Sequence, residues 1–306
     1  MLQSRNILSI NYLSTAMLPA TQHIEFFHRD HFEYHYHRRK AKGPLAQFID
    51  FFWETDFATL WPQHPNGFSD LLYPDLGYTY LINLGTPFIM RLDHDAFDIK
   101  GDGFLPRCKH ITCHHAAGNK IFGIKFKVSP VLFEKKVNFS EYKEYIFPLA
   151  YLIDRKVVQK IKSAASFTER MHIVSAYYSH IIEQYHGALK PVSIVTQILQ
   201  QWHQNNNFHL PVEALAAQYN ISAKTLQRYF ETTTSISSKQ ALQIVRIRKA
   251  LKQWIAAPQA FNCGDFGYYD YSHFYKHMQQ FLKGHPQANV QSHLSLVESR
   301  QANINY

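Results

Sequence analysis

The hydrophobic pattern changes its period partway along the chain, and this change limits the folds open to it. Up to about residue 130 the apolar residues fall in short alternating or aromatic-rich runs, such as FEYHYH, GYTYLINLG and KIFGIKFKV. Turn signals such as Pro65-Asn66-Gly67 separate these runs. Alternation with a period of two is typical of half-buried strands, whereas the longer runs beyond Ser129 follow helical spacing. The sequence therefore predicts an α+β chain whose β-rich part comes first.

The helical part divides near residue 190. The stretch DRKVVQKIKSAASFTERMHIVSAYYSHIIEQYHG carries apolar residues at helical spacing, including Ile173, Ala176, Tyr177 and Ile181. Gly187 and Pro191 then interrupt the chain. We predict a β-rich domain over residues 1–150, a helical connector over 151–190 whose apolar stripe is a candidate dimerisation surface, an all-α domain over 191–290 and a tail over 291–306.

Composition favours a polyanionic partner. The chain of 306 residues has a formal net charge of +9, and Lys and Arg outnumber Asp and Glu by five within residues 191–306 alone. Such a balance favours nucleic acid or an anionic surface. No stretch approaches the ~18 uninterrupted apolar residues of a spanning helix, and polar residues interrupt the N-terminal twenty, so we expect neither a membrane span nor a secretory signal. Three cysteines do not make a disulfide framework, and the sequence predicts a cytoplasmic protein.

The segment PVEALAAQYNISAKTLQRYF has the pattern of a helix-turn-helix unit. Pro211 opens the first helix, small Ala216 permits a close helix crossing, and Ser222 suits the N-cap of the second helix. The second helix buries Leu226 and Phe230 at i and i+4. Taken alone, the same pattern also describes an ordinary corner between two helices of a bundle.

A second unit of the same kind follows. Residues 238–256 predict one amphipathic helix with Ile244, Ile247, Leu251 and Trp254 on one stripe, about 28 Å long at ~1.5 Å per residue. The run DFGYYDYSHFYKHMQQF then offers Asp270 as a cap, with Phe274 and Met278 inward. Two such helices on one connecting helix suit the ~34 Å repeat of B-DNA.

These motifs resemble the AraC/XylS family of transcription regulators. The resemblance is carried by ALAAQYNISAKTLQRYF, VRIRKAL and GYYDYSHFYKHMQQF…GHP, in the family's order over roughly residues 195–287. FIDFFWETD, YLINLGTPF and FGIKFKVSP extend the likeness to the N-terminal domain of a subgroup of these regulators. One departure is clear: the family has a complete apolar helix ahead of its second reading helix, and here only the shorter PQAFNCGDFG fills that place.

The resemblance implies a sequence-specific DNA-binding regulator, not an enzyme, that needs no cofactor. It implies two helix-turn-helix units joined by a long helix, and an N-terminal sensor domain that binds a small-molecule effector or a second subunit. Double-stranded DNA is the expected partner, with RNA polymerase added if the protein is an activator. The residues expected at DNA are exposed polar or aromatic side chains of the two second helices: Ser222, Lys224, Thr225, Gln227, Arg228, Tyr271, Ser272, Tyr275 and Lys276.

Two histidine-rich segments leave a metal reading open. HRDHFEYHYHRRK brings together His28, His31, His35 and His37, with His35 and His37 on one face of a predicted strand, as in a cupin-like metalloenzyme. The acidic ligand expected after such a pair is absent from the sequence. CKHITCHH places Cys108, Cys113 and three histidines within eight residues, a set suited to metal or redox sensing, although its spacing matches no familiar zinc motif. A regulator without any effector is the remaining alternative.

Overall fold

The structure is a computed structural model that describes residues 31, 34–92, 95–99, 101–130, 145–206 and 208–283. Several features discussed above lie outside these residues, namely His28, the N-terminal twenty residues, the GHP motif at 284–286 and the predicted tail at 291–306. Ten strands are defined: β1 Tyr36–Lys40, β2 Ile49–Asp56, β3 Phe68–Leu72, β4 Tyr78–Asn83, β5 Phe88–Leu92, β6 Asp95–Ile99, β7 Gly103–Pro106, β8 Ile111–His115, β9 Lys120–Phe126 and β10 Phe147–Pro148. The helices with defined bounds are α1 Arg155–Ser163, α2 Phe167–Glu183, α3 Lys190–Asn205, α4 Val212–Gln218, α5 Ala223–Thr234, α6 Ser238–Ala256 and α7 Tyr271–Leu282. The predicted α+β class, with strands first and helices after, is confirmed.

The strands form two antiparallel sheets. One has the order β1-β2-β9-β4-β7-β10 and the other the order β3-β8-β5-β6. All six residues of β4 are buried. Tyr80 and Ile82 of that strand pack with the helices, whereas Leu81 packs with residues of the second sheet. The larger sheet is therefore covered on both faces, which explains why GYTYLINLG is apolar or aromatic at almost every position.

The first two helices belong to the packing of the larger sheet. Val158 and Ile161 of α1, with Val174 and Tyr178 of α2, are buried against it. The stripe that the sequence predicts for α2 lies beside this buried face, because Ala176 is exposed and Tyr177 is only half-buried. The candidate dimerisation surface on α2 stays a prediction.

A buried ion pair fixes α2 to β2. The Arg170 guanidinium donates to both carboxylate oxygens of Glu54, at 2.9 and 3.3 Å, and to the Ala164 carbonyl at 2.6 Å. Both charged side chains are at least nine-tenths buried. A charge in such a position depends on its partner, because the sheet and helix around it exclude water.

Among the described residues, no helix combines the length and the apolar character needed to cross a membrane.

We expect Arg170→Met to lower the free energy of unfolding by about 3 kcal/mol, because it leaves the Glu54 carboxylate buried without the guanidinium that pairs with it. Urea titration measures this change. The double variant Glu54→Gln with Arg170→Met should recover part of the loss, since it removes the stranded charge. Lys160→Met, at an exposed position of α1, is the control. If Arg170→Met lowers the free energy of unfolding by no more than this control does, the ion pair does not stabilise the packing of α2 on β2.

Candidate nucleic-acid interface

The first helix-turn-helix unit has the local geometry that its sequence predicts. The α4 helix ends at Gln218, and Asn220 turns the chain in the left-handed region at φ 53°. The Ile221 amide donates to the Ala216 carbonyl at 3.2 Å, which closes the turn. Ala216 is buried, so its small side chain allows the two helices to pack closely at this point.

The second helix of this unit, α5, is capped and amphipathic. The Ser222 hydroxyl accepts a hydrogen bond from the Thr225 amide at 3.1 Å, as an N-cap does. Leu226 and Phe230 are fully buried, and Phe230 stacks on Trp202 of α3 at 5.7 Å between ring centroids. The predicted cap and buried stripe are therefore confirmed.

The predicted DNA-contacting residues of α5 differ in how far they are available. Lys224 and Arg228 are solvent-exposed. Ser222 and Thr225 are engaged in the cap, where the Ser222 hydroxyl also donates to the Thr225 hydroxyl at 3.0 Å. Gln227, expected to point outward, is half-buried, and its amide is tied to Glu231 at 2.6 Å and to Ser238 at 3.2 Å. Among the predicted contact residues of α5, Lys224 and Arg228 are thus the exposed side chains that take no part in the cap.

The long helix α6 supports both units. It runs from Ser238 to Ala256, as predicted, and packs against both α5 and α7. Ile244, Ile247 and Leu251 of the predicted stripe are buried, and Trp254 is half-buried. A single rigid helix therefore sets the separation of the two units.

The second unit has a shortened first helix. Where the AraC/XylS pattern has a complete helix, the chain forms two 3₁₀ turns, Pro258–Ala260 and Cys263–Phe266. The next helix, α7, is regular: the Asp270 carboxylate accepts from the His273 amide at 2.7 Å, and Phe274 and Met278 are buried. The shortening seen in the sequence thus changes the supporting segment and leaves α7 complete.

The predicted contact residues of α7 all lie on its exposed face. Ser272 and Lys276 are exposed, and so are Tyr271 and Tyr275. The Tyr271 hydroxyl donates to the Phe261 carbonyl at 2.8 Å, so this ring also braces the shortened segment. Sequence reasoning missed Tyr269, which is 94% exposed immediately before the cap. A large aromatic side chain between the buried Tyr268 and the cap Asp270 is the signal that could have found it.

The β-rich domain holds the C-terminal ends of both α5 and α7. At α5, the Ser129 amide donates to the Thr233 carbonyl at 2.7 Å, and the Tyr78 hydroxyl donates to the Ser235 hydroxyl. At α7, His110 Nε2 donates to the Phe281 carbonyl, and Tyr73 stacks on the Phe281 ring at 5.5 Å. Helix-turn-helix proteins read bases with the N-terminal residues of the second helix. The contacts of the β-rich domain lie at the opposite ends of α5 and α7, and the N-terminal ends of both helices are exposed.

A cavity of about 1000 Å³ adjoins this contact. Its wall combines residues from both sheets with residues of α3 and α6. The apolar part of the wall includes Phe57, Leu81, Phe88 and Met90. The charged part consists of eight lysine or arginine side chains and three aspartates, so positive charge is in excess. The cavity can hold a small molecule that carries an apolar body and negative charge.

The histidine- and cysteine-rich segments do not assemble into one site. On β8, Cys113 and His115 point into the core between the sheets, whereas His114 turns outward and bonds Ser69 at 2.6 Å. His110 serves the domain contact instead, and Cys108 packs against the helical core.

The histidines before and within β1 lie in two different surroundings: the His31 and His35 rings stack at 5.7 Å between centroids, whereas the His37 ring stacks on Phe167 of α2 at 5.9 Å. His31 bonds Thr55 at 2.6 Å, while His35 and His37 are exposed. Within the described part of the chain, no three His, Cys, Asp or Glu side chains are grouped to hold a metal ion.

One carboxylate inside the cavity is unusual. Asp70 of β3 faces β8, and burial raises its pKa from 3.8 to about 7. His115 Nε2 lies 3.7 Å from an Asp70 carboxylate oxygen, too far for a short hydrogen bond. Asp70 is therefore neutral at moderately acidic pH and gains its charge near neutrality.

No protein-family model matches the sequence, and no curated protein matches it. Solved structures of similar architecture include ToxT from Vibrio cholerae in its P21 crystal form, at 7% identity and a TM-score of 0.41, covering 83% of this chain and 98% of that chain. ToxT from Vibrio cholerae O395 bound to (E)-4-(8-methylnaphthalen-1-yl)but-3-enoic acid gives 6% identity and a TM-score of 0.43, covering 84% and 99%. The AraC-like transcriptional activator CuxR gives 12% identity and a TM-score of 0.27, covering 74% and 89%. Likeness of this degree does not assign a function, which depends on the site.

We expect Asp70→Asn to stabilise the chain more at about pH 8 than at about pH 5. The carboxyl ionises near pH 3.8 when unfolded and near pH 7 when native, so rising pH between these values favours unfolding of the original chain and not of the variant. Thermal unfolding of both proteins across this range measures the difference in Tm. A difference that stays constant with pH would show that Asp70 is not held neutral by burial.

Proposed function

We propose that this chain is a sequence-specific DNA-binding transcription regulator of the AraC type, with α5 and α7 as its reading helices. The observation that carries the proposal is the arrangement of these helices. Each has a side-chain N-cap, a buried apolar stripe and an exposed face with a cation on it, Arg228 in one and Lys276 in the other. Both pack on the single long helix α6.

The roles of the individual residues follow from their environment. Arg228 and Lys224 are exposed on α5, and Arg is the side chain that pairs with guanine through two hydrogen bonds. The Gln227 side chain is hydrogen-bonded to Glu231 and to Ser238 in the free protein, and through Ser238 it positions the start of α6. Contact with a base would require Gln227 to exchange these hydrogen bonds for bonds to DNA. On α7, Ser272, Tyr275 and Lys276, together with Tyr269, form the surface that we assign to the second half of the DNA site.

The β-rich domain is proposed to control this activity. Its cavity reaches α3 and α6, so a bound effector touches both the sheets and the helices that carry the reading units. A ligand that binds one arrangement of the domains more tightly than another shifts the population toward that arrangement. A homodimer and, for an activator, contact with RNA polymerase are further partners compatible with this role.

Selection from a pool of random duplex DNA tests the proposal directly. The full-length protein is expected to enrich a defined sequence, with an affinity that falls steeply as salt rises because phosphate contacts release counterions. No enrichment over several rounds, or equal binding to all duplexes, would contradict sequence-specific recognition.

Arg228→Ala is expected to weaken binding to the selected site by about 1 to 3 kcal/mol and to relax the choice of base at one position. The side chain is exposed, so the free energy of unfolding should change by less than about 0.5 kcal/mol. Titration of labelled duplexes carrying each base at each position measures both effects. Lys160→Ala on α1 is the matched control and should leave DNA binding unchanged.

Lys276→Ala tests the second unit separately. If Lys276 contacts a phosphate, binding should fall by a similar factor for every sequence, and the slope of log K against log salt should shrink by about 1. A change of base preference instead would place Lys276 at a base edge. Binding that is unchanged at all salt concentrations would remove α7 from the proposed interface.

A further inference from the structure

Exposed tyrosines are concentrated at the start of α7. Tyr269 stands just before the cap and is almost fully exposed, and Tyr271 and Tyr275 of the helix are exposed as well. These are three of the seven large hydrophobic side chains that are exposed in the described part of the chain, and they fall within seven residues. Single exposed apolar side chains are ordinary, whereas a concentration of them marks an interaction surface. We call Tyr269, Tyr271 and Tyr275 the tyrosine group.

Two of these rings are held by the core beneath them. The Tyr271 hydroxyl donates to the Phe261 carbonyl at 2.8 Å, and its ring meets the Phe261 ring edge-on at 6.2 Å. The Tyr275 ring packs edge-on against Trp254 of α6 at 6.3 Å. Because Tyr271 and Tyr275 are four residues apart, they lie on the same side of α7. Rings held in this way lose little conformational entropy when a partner binds.

The charge around the tyrosine group does not make phosphate its main contact. Between residues 265 and 276, Asp265 and Asp270 outnumber the single cation Lys276, and all three are exposed. In α5 the balance is reversed, with two basic residues against one acidic residue. The two proposed reading helices therefore offer different chemistry. The first brings cations to DNA, and the second brings aromatic surface with one cation beside it.

The major groove presents one apolar group that suits such rings. All base pairs show hydrogen-bonding atoms there, but only thymine adds a methyl group, which apolar side chains such as Phe contact. A tyrosine ring has the same apolar face and carries its hydroxyl at the edge. Tyrosine is also enriched in protein interfaces, which makes a protein partner the alternative. The place of the tyrosine group beside Ser272 and Lys276, at the end of the helix that reads bases in helix-turn-helix proteins, favours DNA.

We propose that the second unit recognises thymine methyl groups, so that the half of the DNA site under α7 is rich in T·A pairs. The tyrosine group supplies the ring surface that covers these methyls. The half under α5 is chosen by hydrogen bonds instead, with Arg228 directed to guanine. This inference rests on the proposed function and adds to it the base composition of one half of the site.

Replacement of thymine by uracil tests the proposal, because uracil lacks only the methyl group. The full-length protein is titrated with the selected duplex in which one thymine at a time is replaced by deoxyuridine. The half under α7 is identified as the half whose base preference survives Arg228→Ala. Uracil at a contacted position in that half should weaken binding about 4-fold, the equivalent of one buried apolar carbon group. Uracil in the flanking DNA is the control and should leave the affinity unchanged.

Variants of the tyrosine group connect this effect to its side chains. Tyr269→Ala removes an almost fully exposed ring, so the fold should be kept, and the uracil effect should disappear at the position that this ring covers. Tyr275→Ala should remove the effect at another position, whereas Tyr275→Phe keeps the ring and should retain it. Tyr151→Ala, at an exposed tyrosine of the β-rich domain, is the matched control and should change neither affinity nor uracil sensitivity.

The possible failures are distinguishable. A selected site with no preferred T·A pair in the half under α7, or one that tolerates uracil throughout that half, would overturn the inference, leave the proposed function intact and assign the tyrosine group to a protein partner. A uracil effect that persists at every position in both Tyr269→Ala and Tyr275→Ala would overturn it too, and Tyr269→Ala alone decides if Tyr275→Ala folds poorly. Failure to select any sequence would contradict the proposed function, and the inference with it.

Discussion

The structure depends on one contact, the packing of the β3–β4 loop and the end of β9 against the helical domain. Tyr73, Leu76 and Val128 share a core with the helices that carry the two helix-turn-helix units. Hydrogen bonds from Tyr78, His110 and Ser129 of the β-rich domain reach the C-terminal ends of α5 and α7. The β-rich domain and the proposed DNA-binding domain are therefore joined at their cores, and a shift of the sheet would displace α5 and α7 together.

Local signals in the sequence were sufficient for the secondary structure of the helical half. Ser222 and Asp270 cap their helices because a cap involves an amide only three residues away. The buried positions Leu226, Phe230 and Phe274 follow from helical spacing alone. The shortened segment before α7 was also visible, since Pro258 and Gly264 do not suit a continuous helix.

The remaining features depend on pairs that are distant in sequence. Arg248 meets Asp75 only because α6 lies against the β3–β4 loop, and no pattern within either segment indicates the other. The availability of Gln227 is decided in the same way, by Ser238 at the start of the next helix. Strand alternation divides the CKHITCHH segment, whose side chains looked like one ligand set when read along the chain. Tertiary contacts thus decide which polar residues are free to act.

Guanine methylation interference on the selected duplex shows whether α5 and α7 read one DNA site together. Methylation at N7 blocks contacts in the major groove. If the two helices read one site, two patches of interference are expected on one face of the duplex, about 34 Å or one helical turn apart, and Arg228→Ala should remove the pattern at only one of them. Interference confined to one patch, or absent from the major groove, would contradict the claim that the two helices read DNA as a pair.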